Sequence, residues 1–290
     1  MNGTMKSQAE YYGDSTKYTG AAGSSTNKWV IEDVFDLVAA SGSEKYYELV
    51  NDIDFNDHPT YKFGITSSIG SYMRLYGNNH KIRNILIKNS NVFDVYSVRD
   101  LIFENVVIFS SEYGLFSIRE SGSLLRNVRI GVYFSGASLT KIFNGSRTAS
   151  CEGCTFNYKG TVNSLDFSDY ATYKNCHINL DIKNTNTIVT TMNLRTLTDS
   201  YVTGKIVNTD GGNFNLSGTL NGNSYFAVNY ASTGVLNSSL NGNSISFVDK
   251  DLIQNPGQLT DTSNIKYLTT AQATDPEYLS SIGFVTIATN

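Results

Sequence analysis

From Ile82 onward the chain repeats one short phrase: an apolar residue, two polar positions, then apolar residues spaced two apart. It reads Ile82-Arg-Asn84-Ile-Leu-Ile87, Phe103-Glu-Asn105-Val-Val-Ile108 and Leu125-Arg-Asn127-Val-Arg-Ile130. It continues as Cys151-Glu-Gly153-Cys-Thr-Phe156, Tyr173-Lys-Asn175-Cys-His-Ile178 and Leu197-Thr-Asp199-Ser-Tyr-Val202, with weaker copies at 215–220 and 235–240. The third position falls at 84, 105, 127, 153, 175, 199, 217 and 237. A period near twenty with strand-like alternation predicts a solenoid, whose repeats bury their apolar faces only against their neighbours.

Within each phrase, pairs such as Ile85 and Ile87 or Val106 and Ile108 share one strand face. Carried backward, that alternation puts position 83 inside, yet 82 is apolar and 83 charged. The phase therefore slips at the Asn or Gly, residue types that tolerate φ > 0 at a bend or bulge. Each phrase is predicted to be two short strands around a corner, with successive corners stacked about 4.8 Å apart. The position before the corner reads Arg83, Glu104, Arg126, Glu152, Lys174, an alternation expected if these side chains form one exposed column of unlike neighbours. Eight inward positions follow from the same register: Ile85, Ile87, Val106, Ile108, Val128, Ile130, Phe156 and Ile178.

Further alternating runs lie between the phrases, at 92–95, 114–118, 141–143, 164–167 and 225–228. The leucine-rich horseshoe has a similar period, but its L-x-x-L-x-L spacing and helical stripe are absent. Two or three strands per turn without a helix resembles the right-handed parallel β-helix of the pectin-lyase-like superfamily, as found in bacteriophage tail spikes, appendages and head fibres. The resemblance covers roughly residues 45–250 and rests on repeat form. It implies an all-β solenoid with a short N-terminal capping helix and a small C-terminal cap.

The ends are read as follows. Residues 1–27 are a polar arm with almost no aliphatics, disordered alone and expected to be pinned by another subunit; the alternative is that it lies along its own solenoid. Trp29, Val30, Ile31, Val34, Phe35, Leu37 and Val38 fall at helical spacing, predicting a capping helix over 28–41 within a segment 28–44. The first strand is expected at 46–55. Residues 251–290 form the C-terminal cap, with a helix over 275–282.

Composition narrows the functions. Only 17% of residues are charged, so the surface must be polar through Ser, Thr, Asn and Tyr. A net charge of −4 argues against nucleic acid or anionic membrane as partners. No apolar run approaches the roughly 20 residues that span a bilayer, and 1–8 lack a secretory apolar region. Three cysteines cannot all pair, and Cys151-x-x-Cys154 has no second pair or histidine set with zinc spacing. With Cys176 they fit apolar repeat positions and are read as buried thiols. No cofactor or metal is expected.

Polysaccharide-cleaving enzymes use paired carboxylates. The candidates are Asp166 and Asp169, with Asp94, Asp181 and Lys183 elsewhere in the stack; three apart on a strand, Asp166 and Asp169 face opposite sides. His58, His80 and His177 are scattered and adjoin no nucleophile motif. Nineteen tyrosines are the remaining hint of a binding or interface surface. The resemblance and these readings together point to a non-catalytic structural protein of a bacteriophage virion, made in the host cytoplasm. A homotrimer would attach to other virion proteins through 1–27 and contact host cell-surface polysaccharide. The alternatives are a polysaccharide lyase or hydrolase and a bacterial surface adhesin.

Overall fold

The computed structural model describes residues 5–40, 45–65, 67–88, 90–109, 114–118, 123–137, 142–145, 148–162, 171–185 and 190–285. The chain is a parallel β-solenoid with a few short helices, the fold class the repeat predicts. It divides into two compact units, Met1–Tyr133 with Ile142–Ser150, and Phe134–Lys141 with Cys151–Asn290.

In the first unit one sheet runs through Trp29–Ile31, Tyr46–Leu49, Ile69–Tyr76, Phe93–Arg99 and Leu124–Arg126, each strand parallel to the next. Phe116–Ile118 and Phe143–Gly145 stack in turn beside Phe93. A second sheet holds Ile53–Asp54, Lys81–Ile87 and Ile102–Ile108. In the second unit the first sheet contains Ala171–Lys174, Thr190–Thr198, Phe214–Asn221 and Leu236–Gly242. Its second sheet runs Thr155–Val162, His177–Asn184, Tyr201–Asn208, Tyr225–Ala231, Ser246–Asp249 and Ile265–Leu268.

Parallel in-register pairing places like on like. Ile82 lies over Phe103, Ile85 over Val106 and Ile87 over Ile108; farther along, Phe156 lies over Ile178 and Ile178 over Val202. All eight residues expected inside are at most 2% exposed. Each such side chain contributes about 1.5–3 kcal/mol by leaving water. Phe93, Phe103 and Phe116 add an internal aromatic cluster with ring centroids 5.4–6.3 Å apart. The phase slip is real: Asn84, Asn105, Asn127, Gly153, Asn175 and Asp199 all have φ between 47° and 63°.

The register of the phrases needs correction, however. Phrases three to six turn from the first sheet into the second at their third position, but 82–87 and 102–108 each lie wholly within one strand of the second sheet. There Asn84 and Asn105 are left-handed residues directly opposite each other, with the pairing in register on both sides, and Asn105 Nδ2 donates to Asn84 Oδ1 at 3.2 Å. The corner in that turn is instead Asp100, with φ 50°, and Asn127 Nδ2 donates to its carboxylate at 2.9 Å. A bend within a strand and a corner between sheets make the same local demand, a left-handed residue after an apolar–polar pair, so one motif serves both. Positions 217 and 237 also lie inside strands, and the late corner is Gly222, with φ 60°.

The five-residue charge column fails with that register. Arg83 and Glu104 are neighbours, and Asp54 precedes them, giving a short minus–plus–minus column. Arg126, by contrast, is the in-register neighbour of Arg99, and Lys174 that of Thr198.

The ends differ from expectation too. Trp29–Ile31 is a strand against Tyr46–Leu49, so the capping helix shrinks to Val34–Ala39. Asp33 starts it by accepting from the Phe35 and Asp36 amides, a cap of about 1 kcal/mol. The apolar triplet 29–31 supports either period, and pairing with the next turn decides for strand. The expected first strand at 46–55 breaks into Tyr46–Leu49 and Ile53–Asp54.

Residues 5–27 bond to their own chain, along the first strands of the solenoid. The Gln8 amide donates to the Lys28 carbonyl at 2.8 Å, the Val30 amide to Lys6, and the Tyr46 amide to Gly23. Gln8–Tyr12 is a short helix opened by a Ser7–Glu10 capping box. At the other end, strands continue to Leu268, beyond the expected limit at 250. The helix at Pro276–Ser281 matches its expectation, and it brings Leu279 and Phe284 onto Phe247 and Leu268. Among the described residues no helix is long and apolar enough to cross a membrane.

Candidate functional site

Asp166 and Asp169 lie outside the described residues. Of the other carboxylates considered, Asp94 is buried beside Ser117, while Asp181 is committed to Lys205 Nζ at 3.2 Å. Lys183 points outward on the same strand as Asp181. Asp94 belongs to the first unit, and Asp181 and Lys183 to the second.

Each histidine has a structural role. His58 Nδ1 accepts the Thr60 and Tyr61 amides at 3.2 Å, and its ring stacks on Tyr61. His80 meets Asp52 at 3.3 Å across a turn. His177 Nε2 lies 2.7 Å from Thr203 Oγ1 and starts an outer stack through Tyr201 and Tyr225 to Phe247, with centroids 4.3–5.1 Å apart. Burial lowers the pKa of both His58 and His177, keeping them neutral.

The three cysteines are free and buried, as the repeat positions imply. Cys154 and Cys176 begin a column of small polar side chains at the corner. The Cys154 amide donates to Cys176 Sγ at 3.4 Å, Cys176 to Ser200 Oγ at 2.9 Å, and Ser200 to Ser224 Oγ at 3.2 Å. Each corner amide, turned away from the sheet ladder, is thus satisfied by the side chain one turn on. Side-chain hydrogen bonding with Cys154 that favours the protonated thiol, together with burial, pushes the Cys176 pKa far up, so this thiol is a neutral packing group.

The arrangement with most chemical character is the outer face of the first sheet in the first unit. Tyr46 pairs in register with Arg74, Tyr76 with Arg99, and Arg99 with Arg126, which sets aromatic and cationic side chains side by side. The Arg74 guanidinium lies 4.4 Å from the Tyr96 ring centre and 5.1 Å from that of Tyr46. Lys28 Nζ sits 4.9 Å and the Arg99 guanidinium 5.5 Å from the Tyr76 ring. Two irregularities in pairing build the face. The register shifts between Ile69, Met73 and Arg74, so that Tyr96 falls between the partners of Met73 and Arg74 and Tyr72 takes φ 52°. Bulges re-aim side chains in this way, and an aromatic residue at positive φ is uncommon.

The acidic neighbour of this face is Glu48, in register with Tyr76. It is only 7% exposed and accepts the Tyr12 hydroxyl at 3.3 Å. Burial and the Glu48 charge push the Tyr12 pKa up to about 12. Among the described residues Lys28, Arg74 and Arg99 make no ion pair, and Arg99 Nε is shielded from water without a hydrogen-bond partner. Tyrosine number alone hinted at a binding surface; the pairing of rings with cations appears only once turns of the solenoid are aligned, because the partners lie more than twenty residues apart in sequence.

Comparison with protein-family profiles, with curated proteins and with solved structures finds no match to this chain.

Proposed function

We propose that this protein is a non-catalytic structural module of a bacteriophage particle, a fibre, spike, appendage or decoration protein that contacts host surface glycans. The observation that carries the reading is how the chain closes its own solenoid. Residues 5–27 bond to the strand edge at Lys28–Val30, and the C-terminal helices cover the outer aromatic stack at Phe247. Covering strand edges prevents unwanted edge-to-edge pairing, and stacked in-register turns make a stiff element suited to load and spacing. Asp33, Asp54, Asp249 and Asp275 cap helix starts, and His58 holds a turn. Self-association as a trimer, with attachment through the outer side of residues 1–27, belongs to the same proposal. Tyr11 and Tyr12, packed edge-on at 4.9 Å, offer that segment an aromatic contact.

The test is quantitative mass spectrometry of gradient-purified particles from a producing host, paired with a turnover assay on capsular polysaccharide and pectin. The chain is expected to band with the particle at fixed stoichiometry and to release no sugar ends. Sustained turnover, or absence from particles, overturns the proposal.

A further inference from the structure

We infer that Cys154 and Cys176 are a site of oxidative modification, where a peroxide joins two adjacent turns of the second unit through a disulfide. The chemistry stands on the corner itself; only its biological setting rests on the reading above.

All three cysteines of the chain meet at one corner. Cys151 lies in the strand Ala149–Glu152, Gly153 turns the chain at φ 63°, and Cys154 follows. Cys176 sits one turn on: Thr155 pairs with His177, and the His177 amide donates to the Cys154 carbonyl at 2.9 Å. Neighbouring strands lie about 4.8 Å apart, inside the roughly 4.4–6.8 Å between α-carbons that a disulfide spans. The Cys154 amide lies 3.4 Å from Cys176 Sγ, and the two side chains hydrogen-bond to each other. Cys176 Sγ meets Cys151, by contrast, at that residue's carbonyl, 3.4 Å away.

The rest of the column shows what cysteine adds. Ser200 and Ser224 hold the same position in the next two turns, and their hydroxyls accept the preceding corner amides at 2.9 and 3.2 Å. Ser200 Oγ donates to the Thr198 carbonyl at 2.7 Å, as Cys176 Sγ does to that of Lys174 at 3.2 Å. Sulfur is the weaker donor and acceptor, so serine serves this corner at least as well. Two successive sulfurs do what two serines cannot: they share a covalent bond.

The step balances with hydrogen peroxide as oxidant. The three cysteines are at most 1% exposed, so reaction waits on local opening of the corner, which admits so small a molecule. Hydrogen bonding and burial hold Cys176 protonated, which leaves Cys154 as the attacking sulfur. The Cys154 thiolate displaces hydroxide from peroxide and becomes a sulfenic acid. The Cys176 sulfur then attacks the Cys154 sulfur. The S–S bond forms, the S–O bond breaks, and the Cys176 proton leaves with the hydroxide as water. Two electrons pass from the sulfurs to the peroxide. The link joins residues 22 apart and restricts the unfolded chain far more than the folded one. Such a bond suits a chain made in a reducing cytoplasm and released into an oxidising exterior.

The test treats the full chain with hydrogen peroxide, folded and in guanidinium chloride, then alkylates remaining thiols and maps tryptic peptides without reduction. Cleavage after Arg147, Lys159, Lys174 and Lys183 puts Cys151 and Cys154 in one peptide and Cys176 in another. The folded chain is expected to give the Cys154–Cys176 link with Cys151 alkylated, and to lose the link in dithiothreitol. In guanidinium, nearness in sequence should favour Cys151–Cys154 instead. Cys151→Ser should change the folded-state yield less than about twofold. Cys176→Ser, a residue type the column already accepts, should abolish the link. The linked chain should unfold at least tenfold more slowly than the reduced chain. No link in the folded chain, a link through Cys151, or an unfolding rate unchanged by the link overturns the inference. If the link forms but the chain is absent from particles, only the structural role falls; if no link forms while the chain bands with particles, that role stands.

Discussion

The first sheet presents two very different outer faces in the two units. In the first unit its in-register columns read Tyr46–Arg74–Ser97 and Tyr76–Arg99–Arg126. In the second they read Thr172–Thr196–Thr219–Asn241 and Lys174–Thr198–Asn221. Beneath both, the inward residues are alike: Leu75, Val98 and Leu125 on one side, Tyr173, Leu197 and Leu220 on the other, all buried. The scaffold therefore demands apolar residues at alternate positions and a left-handed residue at each corner, and leaves the outward positions to other requirements. A hydroxyl and amide face satisfies solubility with few charges. A tyrosine and arginine face instead sets cations on aromatic rings, as Arg74 on Tyr96 and Lys28 on Tyr76.

The first way to break this comparison is to attack the shared frame. Phe103→Ala in the first unit and Phe156→Ala in the second each remove a fully buried ring, and each should cost about 3–5 kcal/mol in denaturant unfolding. A loss below 1 kcal/mol in one unit alone would show that the frames are not equivalent. The corner column should respond next. Ser200→Ala leaves the Cys176 amide without its acceptor in a buried setting and should cost about 1–3 kcal/mol. Gly204, at φ 107°, has the Leu180 carbonyl where a Cβ would stand, so Gly204→Ala should cost more than about 1 kcal/mol, measurable as a lower melting temperature.

Acid titration sharpens the comparison through two aspartates of opposite sign. Burial raises the Asp54 pKa, but hydrogen bonds from Asn84, the Asn56 amide and Arg83 outweigh it, leaving it below the usual carboxylate range. Its contribution is present above the unfolded value near 3.9 and is lost as pH falls through the folded one. Asp249 is raised, first by burial, so its contribution is present below that unfolded value and is lost as pH rises through the folded one. Comparing Asp54→Asn and Asp249→Asn with the parent chain between pH 3 and 6 should give slopes that differ in opposite directions; slopes of the same sign would contradict these environments. The smallest effect belongs to the short charge column. Glu104 neighbours Arg83 and pairs with Lys81 Nζ at 2.9 Å, so Glu104→Lys should cost only about 0.2–1 kcal/mol more than Glu104→Gln.

Much of the frame was legible in the sequence, because stacking forces each turn to repeat the same apolar positions. Phe156, Ile178 and their counterparts were placed correctly for that reason. The error at Asn84 and Asn105 is instructive: sequence shows that a residue is left-handed, but only pairing shows whether the chain turns a corner there or bends within one strand. Trp29–Ile31 was misread because three apolar residues carry no period of their own. The face bearing Arg74, Tyr76 and Arg99 was hidden for another reason. Its residues fall on outward positions, where the repeat imposes nothing, and they meet only after the register between turns is known. Tyr96 is harder still, since a bulge places it.

The most direct measurement is native-state hydrogen exchange of the full chain, read by fragmentation mass spectrometry. If one frame serves both units, the strand amides around Ile85 and Val106 in the first unit and around Phe156 and Ile178 in the second will be protected alike. Fast exchange in one set beside slow exchange in the other would contradict the account.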